Sequence, residues 1–359
     1  MQERATPHRF SDAMMNLTSL TTTAAAILGA FLASCWLTSV VRRYALGCSI
    51  VDRPNSRSSH TVPTPRGGGA AIAVSWFLAL GWLVVSGLLD TWVGLALSAG
   101  GGAIALIGWL DDRRHLSAGI RAGVHLAAAA WAVWCLGGLP SFNVGTGVVP
   151  LGWMGGALAV VGIAWLTNLY NFMDGIDGLA AGEAVSVGLV GGGLLAFAGA
   201  DGMALAALSL AAAAGGFLVF NWPPAKIFMG DVGSGLLGYA FGVLALASER
   251  AGVVPLIVWM MLLAVFIVDA TATLIRRVVN GERWFEAHRS HAYQRAVQAG
   301  YSHRDVTVAG LGLNVLLAVA ATGAWLIPAL LPAVLVVTAG GLVGVWYWFC
   351  CFRTVRCSD

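Results

Sequence analysis

The chain has 359 residues, of which 58% are hydrophobic types and only 10% are charged, against about 25% charged residues in an ordinary soluble domain. It lacks the polar surface that a soluble fold exposes to water, and it is too apolar to be disordered. The 47 glycines follow no three-residue repeat, which excludes collagen, and a net charge of +3 gives no reason to expect nucleic-acid binding. We therefore predict an all-α, polytopic integral membrane protein with a single membrane domain over residues 1–359.

Eleven apolar segments resemble membrane spans, for which a helix needs about 20 residues. The six cysteines include no CxxC pair and predict neither a disulfide framework nor a zinc site. The predicted spans, in chain order, are 20–41, 70–89, 92–110, 120–138, 153–172, 181–199, 203–220, 233–248, 253–275, 306–328 and 329–350.

The cations are distributed unevenly between the loops. If the first span runs from outside to inside, all but three of the 20 Lys and Arg residues fall on the cytoplasmic side, the exceptions being Arg4, Arg9 and Arg250. The positive-inside rule then predicts an outside N-terminus and a cytoplasmic C-terminus. The N-terminal region up to Cys35 also resembles a lipoprotein signal, but its apolar run continues to Val41, which favours a retained helix.

Polar residues cluster in five segments on the predicted cytoplasmic side, near 47–69, 111–121, 168–178, 221–234 and 276–305. The first segment contains three prolines, which exclude a continuous helix. Its residues Arg57, His60 and Arg66 could meet phosphate groups. The simpler interpretation is a solvated basic loop.

The second segment carries two adjacent carboxylates, Asp111 and Asp112, at the end of the third span. Carboxylates at a helix C-terminus oppose the helix dipole and need compensation. Structurally, Arg113 and Arg114 would neutralise them. Functionally, the pair would bind a metal or orient a phosphate, and Arg121 at the next span could reach the same place.

The third segment spaces Asn168, Asn171, Asp174 and Asp177 three residues apart. On a helix, residues at this spacing share a face, so four oxygen ligands would lie along one stripe. Such ligands suit a hard cation like Mg²⁺. Helix capping would explain only Asp177 and the glycine after it.

The fourth segment combines the only lysine, Lys226, with Asp231 and a Gly-x-Ser turn before the eighth span. Helix N-termini favour anions, so these residues predict a phosphate and Mg²⁺ site. Phe228, between them, could stack on a flat base.

The fifth segment contains His288, Arg289, His291 and Arg295. Arginine binds phosphate oxygens in a bidentate manner, so this loop could clamp a pyrophosphate. An amphipathic surface helix on anionic lipid is the alternative, and a zinc site is disfavoured because no cysteine lies nearby.

Asp269 lies inside the ninth predicted span, about two turns before Arg276. A carboxylate within the membrane is costly and usually has a partner. We interpret Asp269 as structural, in an ion pair or a polar cavity.

Taken together, these segments resemble the polyprenyl-phosphate N-acetylhexosamine-1-phosphate transferases of glycosyltransferase family 4. That family includes phospho-muramoyl-pentapeptide translocase and the enzymes that start O-antigen synthesis. The matching signatures, in chain order, are Asp52-x-Pro54-x-x-Arg57-x-x-His60, Asp111-Asp112, Asn168-x-x-Asn171-x-x-Asp174-Gly175-x-Asp177-Gly178 and Pro224-Ala225-x-x-Phe228-x-Gly230-Asp231-x-Gly233-Ser234.

The resemblance implies Mg²⁺ as cofactor, with Mn²⁺ as an alternative, held by Asn171 and Asp231. It implies that Asp111 and Asp112 form the essential pair near the lipid phosphate. Arg121 matches a basic residue that faces the phosphates.

For the donor, the resemblance implies that Phe228 stacks on uracil, that Asp174 and Asp177 line the nucleotide site, and that residues 288–295 contact pyrophosphate and sugar. His291-Ala292-Tyr293 stands where the family more often has a histidine-rich triplet. This departure resembles the branch that initiates O-antigen or similar polysaccharides. It leaves N-acetylglucosamine, N-acetylfucosamine, N-acetylquinovosamine or another sugar open.

The implied activity transfers an N-acetylhexosamine 1-phosphate from a UDP-sugar to undecaprenyl phosphate and releases UMP. The lipid-diphosphate sugar formed would initiate a cell-envelope polysaccharide at the cytoplasmic face of a bacterial inner membrane. The resemblance implies that the partners are a UDP-N-acetylhexosamine, undecaprenyl phosphate and membrane lipid. It leaves open whether the protein forms a homodimer.

Two alternatives were weighed. The motif of CDP-alcohol phosphatidyltransferases fits at Asp174 and Asp177, but Gly182, Leu195 and Gly199 occupy its arginine and its last two aspartate positions. A transporter would place functional polar residues at mid-membrane, whereas these cluster at one face.

Overall fold

The computed structural model describes residues 7–48, 51–52, 62–114, 116–282 and 288–352, with side chains over residues 24–351 of these ranges. Arg57 and His60 therefore lie outside the described residues. The described helices are α1 Pro7–Gly47, α2 Gly69–Val85, α3 Thr91–Leu95, α4 Gly101–Arg114, α5 Ala118–Leu136, α6 Trp153–Phe172, α7 Leu179–Phe197, α8 Asp201–Asn221, α9 Asp231–Arg250, α10 Leu256–Leu262, α11 Ala264–Val279, α12 Ala292–Gln298, α13 His303–Leu326 and α14 Leu331–Tyr347.

The all-α membrane architecture is confirmed, and every predicted span corresponds to a helix. In the described part of the chain, nine helices are long and apolar enough to cross a membrane, or ten when the bent pair α10–α11 is one span. One of the nine, Thr91–Arg114, joins α3 to α4 through a π-helical turn. The remaining predicted span, 70–89, corresponds to α2, which has 17 residues and is shorter than these nine.

The helix α9 lies at the centre of the bundle. In its most apolar window, 94% of the residues are buried, more than in any other span of the described chain. It contacts α6 and α4 most extensively, and also α2 and α5. Its sequence is apolar on all sides and rich in glycine and alanine, which allows neighbouring backbones to approach closely. The first residue of this buried helix is Asp231.

The ninth predicted span, 253–275, is not one straight helix. It breaks at Leu263 into α10 and α11, which meet at an angle of 80°. Neither proline nor glycine occurs at the break, so the bend could not be predicted from the sequence. Beyond the bend, α11 is amphipathic, and its buried residues recur at helical spacing: Phe266, Asp269, Ala270, Thr273 and Arg277.

Two small antiparallel sheets lie at opposite ends of the bundle. At the end where α4, α6 and α8 finish, β1 Val51–Asp52 pairs with β2 Thr64–Pro65. At the other end, β3 Ser141–Asn143 pairs with β4 Val148–Pro150. There the Glu249 carboxylate accepts hydrogen bonds from the backbone N–H groups of Asn143 and Leu256, which ties the hairpin to α10.

A buried polar pair joins α7 to α13. The carboxylate Oε2 of Glu183 accepts a hydrogen bond of 2.5 Å from the amide of Asn314, and both side chains are almost fully buried. Within hydrocarbon no water replaces a lost partner, so the pair holds the two helices together.

We expect Asn314→Leu to lower the free energy of unfolding by about 1–3 kcal/mol, because it leaves the buried Glu183 carboxylate without this donor. Thermal unfolding of the purified protein in detergent measures the change. Val315→Leu, one residue further on the exposed face of α13, is the control and should match the wild type. An unchanged melting temperature for Asn314→Leu would contradict this interpretation.

Candidate active site

Several helix ends converge at the end of the bundle where α4 and α6 finish and α5 and α9 begin. They enclose a cavity of about 340 Å³. Part of its lining is apolar and includes Ile104, Ile107, Trp165 and Leu274. The polar part of the lining consists of Asp111, Arg121, His125, Asn168, Asn171 and Asp231. The cavity therefore suits a ligand with a charged head and an apolar body.

Arg66 bridges two of the predicted carboxylates. One of its terminal nitrogens lies 2.8 Å from the Asp112 carboxylate and 3.0 Å from that of Asp231. Burial lowers the pKa of Arg66, but the carboxylates of Asp112, Asp231, Asp52 and Asp174 together raise it, so the net shift is upward and the guanidinium stays charged. From its position in the sequence, Arg66 was predicted only as a phosphate contact, and its place between these two aspartates was not predicted.

Backbone pairing brings Arg66 to this position. The backbone N–H of Phe228 donates to the carbonyl of Pro65, and the Phe228 carbonyl accepts from Gly67 and Gly68. Gly69 then donates to the carbonyl of Met229. The segment before α2 is thereby fastened to the segment before α9.

Asp112 caps the N-terminus of α9 from a different helix. Both of its carboxylate oxygens accept from the backbone N–H of Asp231, at 3.2 and 3.3 Å. Gly230 makes room for this contact, because its φ is +77° and a Cβ there would lie 2.6 Å from Asp112 Oδ2. The positive end of the α9 dipole thus compensates a carboxylate that the C-terminus of α4 disfavours.

Asp111 is held by two other donors. Its Oδ2 lies 2.7 Å from Arg121, and its Oδ1 accepts a 2.6 Å hydrogen bond from the backbone of Leu116. The alternative in which Arg113 and Arg114 neutralise the pair was wrong for Arg113, whose guanidinium lies 4.2 Å from the Trp109 ring. Among the described residues, the ion pairs to Asp111 and Asp112 come from Arg121 and Arg66.

The four-residue stripe is only half helical. Because α6 ends at Phe172, the helix contains Asn168 and Asn171 but not Asp174 and Asp177. Asn171 donates to the Ser234 hydroxyl at 3.0 Å and so lies beside the first turn of α9. The prediction of one helical face was wrong for Asp174 and Asp177, because the chain turns into a loop at Met173.

Asp177 faces α13 and the loop before α9. Its Oδ2 accepts from the backbone N–H of Ala225 at 3.0 Å, and its Oδ1 lies 3.3 Å from His303. The Asp177 carbonyl accepts from the Thr307 hydroxyl. These contacts anchor the loop, and the nucleotide-binding role of Asp177 stays a prediction.

Four carboxylates, of Asp111, Asp112, Asp174 and Asp231, form what we call the carboxylate cluster. Burial raises the pKa of Asp174 well above its usual range; Arg66 opposes this, and the neighbouring Asp231, Asp112 and Asp177 add to it. Against these four carboxylates stand two guanidinium groups, of Arg66 and Arg121. When all are ionised the cluster has an excess of negative charge, which a divalent cation would offset.

The residues fit a cation that shares its coordination with substrate. Within the described ranges, no three His, Cys, Asp or Glu side chains are grouped closely enough to hold a metal alone. Mg²⁺ commonly takes only one or two protein carboxylates and completes its shell with phosphate oxygens and water. Asp231 and the neighbouring amide of Asn171 are compatible with that arrangement.

Lys226 and Phe228, two further donor-site predictions, differ in burial and are not among the residues that line this cavity. Lys226 is exposed, and its backbone N–H donates to the carbonyl of Phe220. Phe228 contributes the backbone pairing described above and is partly exposed. Their predicted contacts with phosphate and base stay predictions.

Residues 288–295, which we call the arginine–histidine loop, approach the cavity beside Phe172. The imidazole of His291 is buried and stacks on the Phe172 ring, with centroids 6.3 Å apart, and it lies tilted against the His288 ring at 4.8 Å. Burial, with the charges of His291, Arg277 and Arg276, lowers the pKa of His288 to about 4. Near neutral pH, His288 would therefore meet a phosphate as a neutral hydrogen-bonding group.

Arg289 and Arg295 belong to the same loop and are partly exposed. The Nε atom of Arg295 is buried and has no hydrogen-bond partner among the described residues. A phosphate oxygen could accept a hydrogen bond from this Nε atom.

Sequence reasoning missed two histidines. His125 lines the cavity wall, and its Nδ1 lies 3.0 Å from the Asn168 amide. It follows Arg121 by four residues on α5, so helical spacing alone would have placed it on the same face. His303, the partner of Asp177, had no such signal because it begins a different helix, α13.

Known proteins are similar to this chain in amino-acid sequence. The profile described as glycosyl transferase family 4 matches residues 94–249. A Bacillus subtilis protein named probable undecaprenyl-phosphate N-acetylglucosaminyl 1-phosphate transferase is 35% identical over 273 residues, which cover 75% of each chain. A decaprenyl-phosphate N-acetylglucosaminephosphotransferase from Mycolicibacterium smegmatis is 33% identical over 303 residues, covering 74% of this chain and 73% of its own.

A phospho-N-acetylmuramoyl-pentapeptide-transferase from Synechococcus is 32% identical over 318 residues, covering 81% of this chain and 88% of its own. With the bundle of spans and the charged cavity at its end, these matches define a multi-pass membrane transferase. The chain belongs to glycosyl transferase family 4. The family confirms the resemblance and leaves the transporter and CDP-alcohol alternatives without support.

We expect Arg66→Ala to lower turnover by about a hundredfold or more. Without the guanidinium, Asp112 and Asp231 repel each other, and the N-terminus of α9 is no longer held in place. Arg113→Ala removes a guanidinium from the end of α4, where it contacts Trp109, and should change turnover less than twofold. Steady-state kinetics of both variants, compared at equal amounts of folded protein, test the bridge. Equal activities would show that Arg66 has no special role.

Proposed function

We propose that this protein transfers an N-acetylhexosamine 1-phosphate from a UDP-sugar to a polyprenyl phosphate and releases UMP. The observation that carries the proposal is the cavity that Asp111, Arg121, Asn171 and Asp231 line together with apolar side chains. Such a cavity matches a lipid phosphate, with a charged head and an isoprenoid tail. The relatives named above act on undecaprenyl or decaprenyl phosphate by their names, which supports the acceptor.

The reaction forms one phosphoanhydride bond and breaks another. A phosphate oxygen of the lipid attacks the β-phosphorus, which bears the sugar, and the bond from this phosphorus to the oxygen bridging the two phosphates breaks. UMP leaves with that oxygen, and the lipid diphosphate sugar remains. A phosphate monoester has a second pKa of about 6, so the acceptor is already largely dianionic at neutral pH.

The acceptor therefore needs orientation more than deprotonation. We assign Arg121 to the lipid phosphate, with Asp111 fixing the guanidinium through their 2.7 Å ion pair. Both oxygens of Asp111 accept hydrogen bonds, and those of Asp112 contact Arg66 and the α9 N-terminus. Carboxylates engaged in this way are poor nucleophiles, which supports direct attack over a covalent acyl-phosphate. Isolation of a phosphorylated Asp111 or Asp112 would reverse this preference.

Asn171 and Asp231 would hold Mg²⁺, with Mn²⁺ as an alternative. When bound, the cation offsets charge on the substrate phosphates and so lowers the barrier to attack. The arginines of the arginine–histidine loop would stabilise the charge that develops on the leaving UMP. Asp174 and Asp177 would line the nucleotide site, Phe228 would stack on uracil and Lys226 would approach the phosphates.

The charge distribution supports a cytoplasmic site in a bacterial inner membrane. Arg66, Arg113, Arg114 and Arg121 all lie at the end of the bundle that holds the cavity. By the positive-inside rule, this end faces the cytoplasm, where UDP-sugars are made. The product would initiate a cell-envelope polysaccharide, with N-acetylglucosamine, after the named relatives, as the first sugar to test.

The proposal predicts UMP release when the purified protein is mixed with undecaprenyl phosphate, Mg²⁺ and a panel of UDP-sugars. The panel contains the glucosamine, fucosamine and quinovosamine N-acetyl derivatives and identifies the donor. EDTA should abolish UMP release, because it removes the cation that offsets the negative charge of the carboxylate cluster. Added Mg²⁺ should restore the release. No UMP with any donor would overturn the proposed function.

We expect Asp231→Asn to reduce turnover by at least about a hundredfold while the protein stays folded, since the variant removes the charge assigned to the cation. Asp201→Asn is the matched control. Asp201 begins α8 as Asp231 begins α9, but it is exposed at the opposite end of the bundle. Full activity of Asp231→Asn, with Mg²⁺ dependence intact, would remove the metal assignment.

A further inference from the structure

Asp269 is a buried carboxylate that the reaction described above does not use. It lies on α11 beyond the bend and is 7% exposed. Its Oδ1 accepts from the backbone N–H of Ala292 at 2.8 Å and from the Thr273 hydroxyl at 3.2 Å. Its Oδ2 accepts from the backbone N–H of Tyr293 at 3.2 Å. Asp269 thus fixes two successive peptide groups of the arginine–histidine loop.

The imidazole of His291 joins the same contact. Its Nδ1 lies 3.5 Å from Asp269 Oδ1, and the ring is 3% exposed. Two backbone donors go to two different oxygens, and an amide side chain would turn an NH₂ toward one of them. A carboxylate is therefore the side chain that satisfies this arrangement.

Tyr293 carries the constraint from Asp269 to the carboxylate cluster. Its hydroxyl donates a 2.8 Å hydrogen bond to the carbonyl of Phe172, the residue after Asn171. It occupies the space left by Gly175, where a Cβ would overlap the hydroxyl. The ring of Phe172 also stacks on His291. The end of α6 is thus held twice by the loop that Asp269 fixes.

We propose that Asp269 is a positioning residue, which through Tyr293 sets the arginine–histidine loop against the Asn171 end of α6 for binding the donor pyrophosphate. This inference rests on the proposed function. Asp269 itself touches no substrate in this scheme. It acts by holding the backbone of His291 to Tyr293, so its loss weakens donor binding before it affects the chemical step.

A purely structural role predicts a different result. Asp269 would then stabilise α11 and α12 only, and its loss would lower the melting temperature and the amount of folded protein. The KM of the molecules that remain folded would not change. The ratio of KM to kcat effects therefore separates the two roles.

The test measures UMP release and UDP binding by calorimetry for Asp269→Asn, Tyr293→Phe and the double variant. Asp269→Asn should raise the donor KM by about ten- to a hundredfold, the effect of losing a hydrogen bond to a charged group, with a much smaller change in kcat. Tyr293→Phe should raise it by up to about tenfold. The double variant should show less than the product of the two effects, because both interrupt one chain of contacts.

Asp305→Asn is the matched control. Asp305 caps the next helix, α13, by accepting from Ser302, and has no hydrogen bond to the arginine–histidine loop among the described residues. Its donor KM should equal that of the wild type. Wild-type KM values in Asp269→Asn and Tyr293→Phe, with or without a lower melting temperature, would overturn the inference while the wild-type enzyme is active. An inactive wild type would instead overturn the proposed function.

Discussion

The accumulation of carboxylates at the buried start of α9 is the constraint on which the site depends. Asp231 begins this helix, and Asp112 caps it from α4. Repulsion between such groups would separate the helix ends unless positive charge lay among them. Arg66 and Arg121 supply it, together with the positive end of the α9 dipole. The remaining negative charge is what makes the site suitable for a divalent cation and for phosphates that bring it.

Helix packing decides where this charge is held. The helix α9 is surrounded by others, so its N-terminus cannot move without disturbing the bundle. Gly230 allows Asp112 to reach it, and the backbone pairing of Phe228 with Pro65 brings Arg66 to the same point. The buried N-terminus of α9 thus holds the side chains of Asp112 and Arg66 in fixed orientations. Preorganised sites stabilise the charge that develops in a reaction in this way.

The C-terminal part of the chain completes the site by a different principle. Residues 288–291 of the arginine–histidine loop lie outside regular structure and residues 292–295 begin α12, and contacts from α11 and α6 hold this segment. Asp269 fixes its peptides, and Tyr293 joins it to Phe172. Gly175, which lies inside the recognised motif, serves here as space for a tyrosine hydroxyl from a distant segment. One glycine of the family signature therefore has a packing reason in this chain.

The membrane class, the helices and the segments that carry the chemistry could be predicted from the amino-acid sequence alone. These properties depend on local composition and on runs of about 20 apolar residues, and both are visible in the amino-acid sequence. It also identified Arg121 as able to reach the Asp111 and Asp112 pair, because the two lie on consecutive helices joined by a short loop. The bend at Leu263 was not visible, since neither proline nor glycine marks it.

Which charged residues are neighbours depends on the packing of the helices. Arg66 and Asp231 are 165 residues apart in the sequence, and nothing local relates them. The same holds for Asp269, interpreted from sequence as structural, whose contacts with Ala292 and Tyr293 exist only because α11 turns toward the loop. Electrostatic and hydrogen-bond partners are set by distance in space, and in a helical bundle that distance follows from how the helices pack.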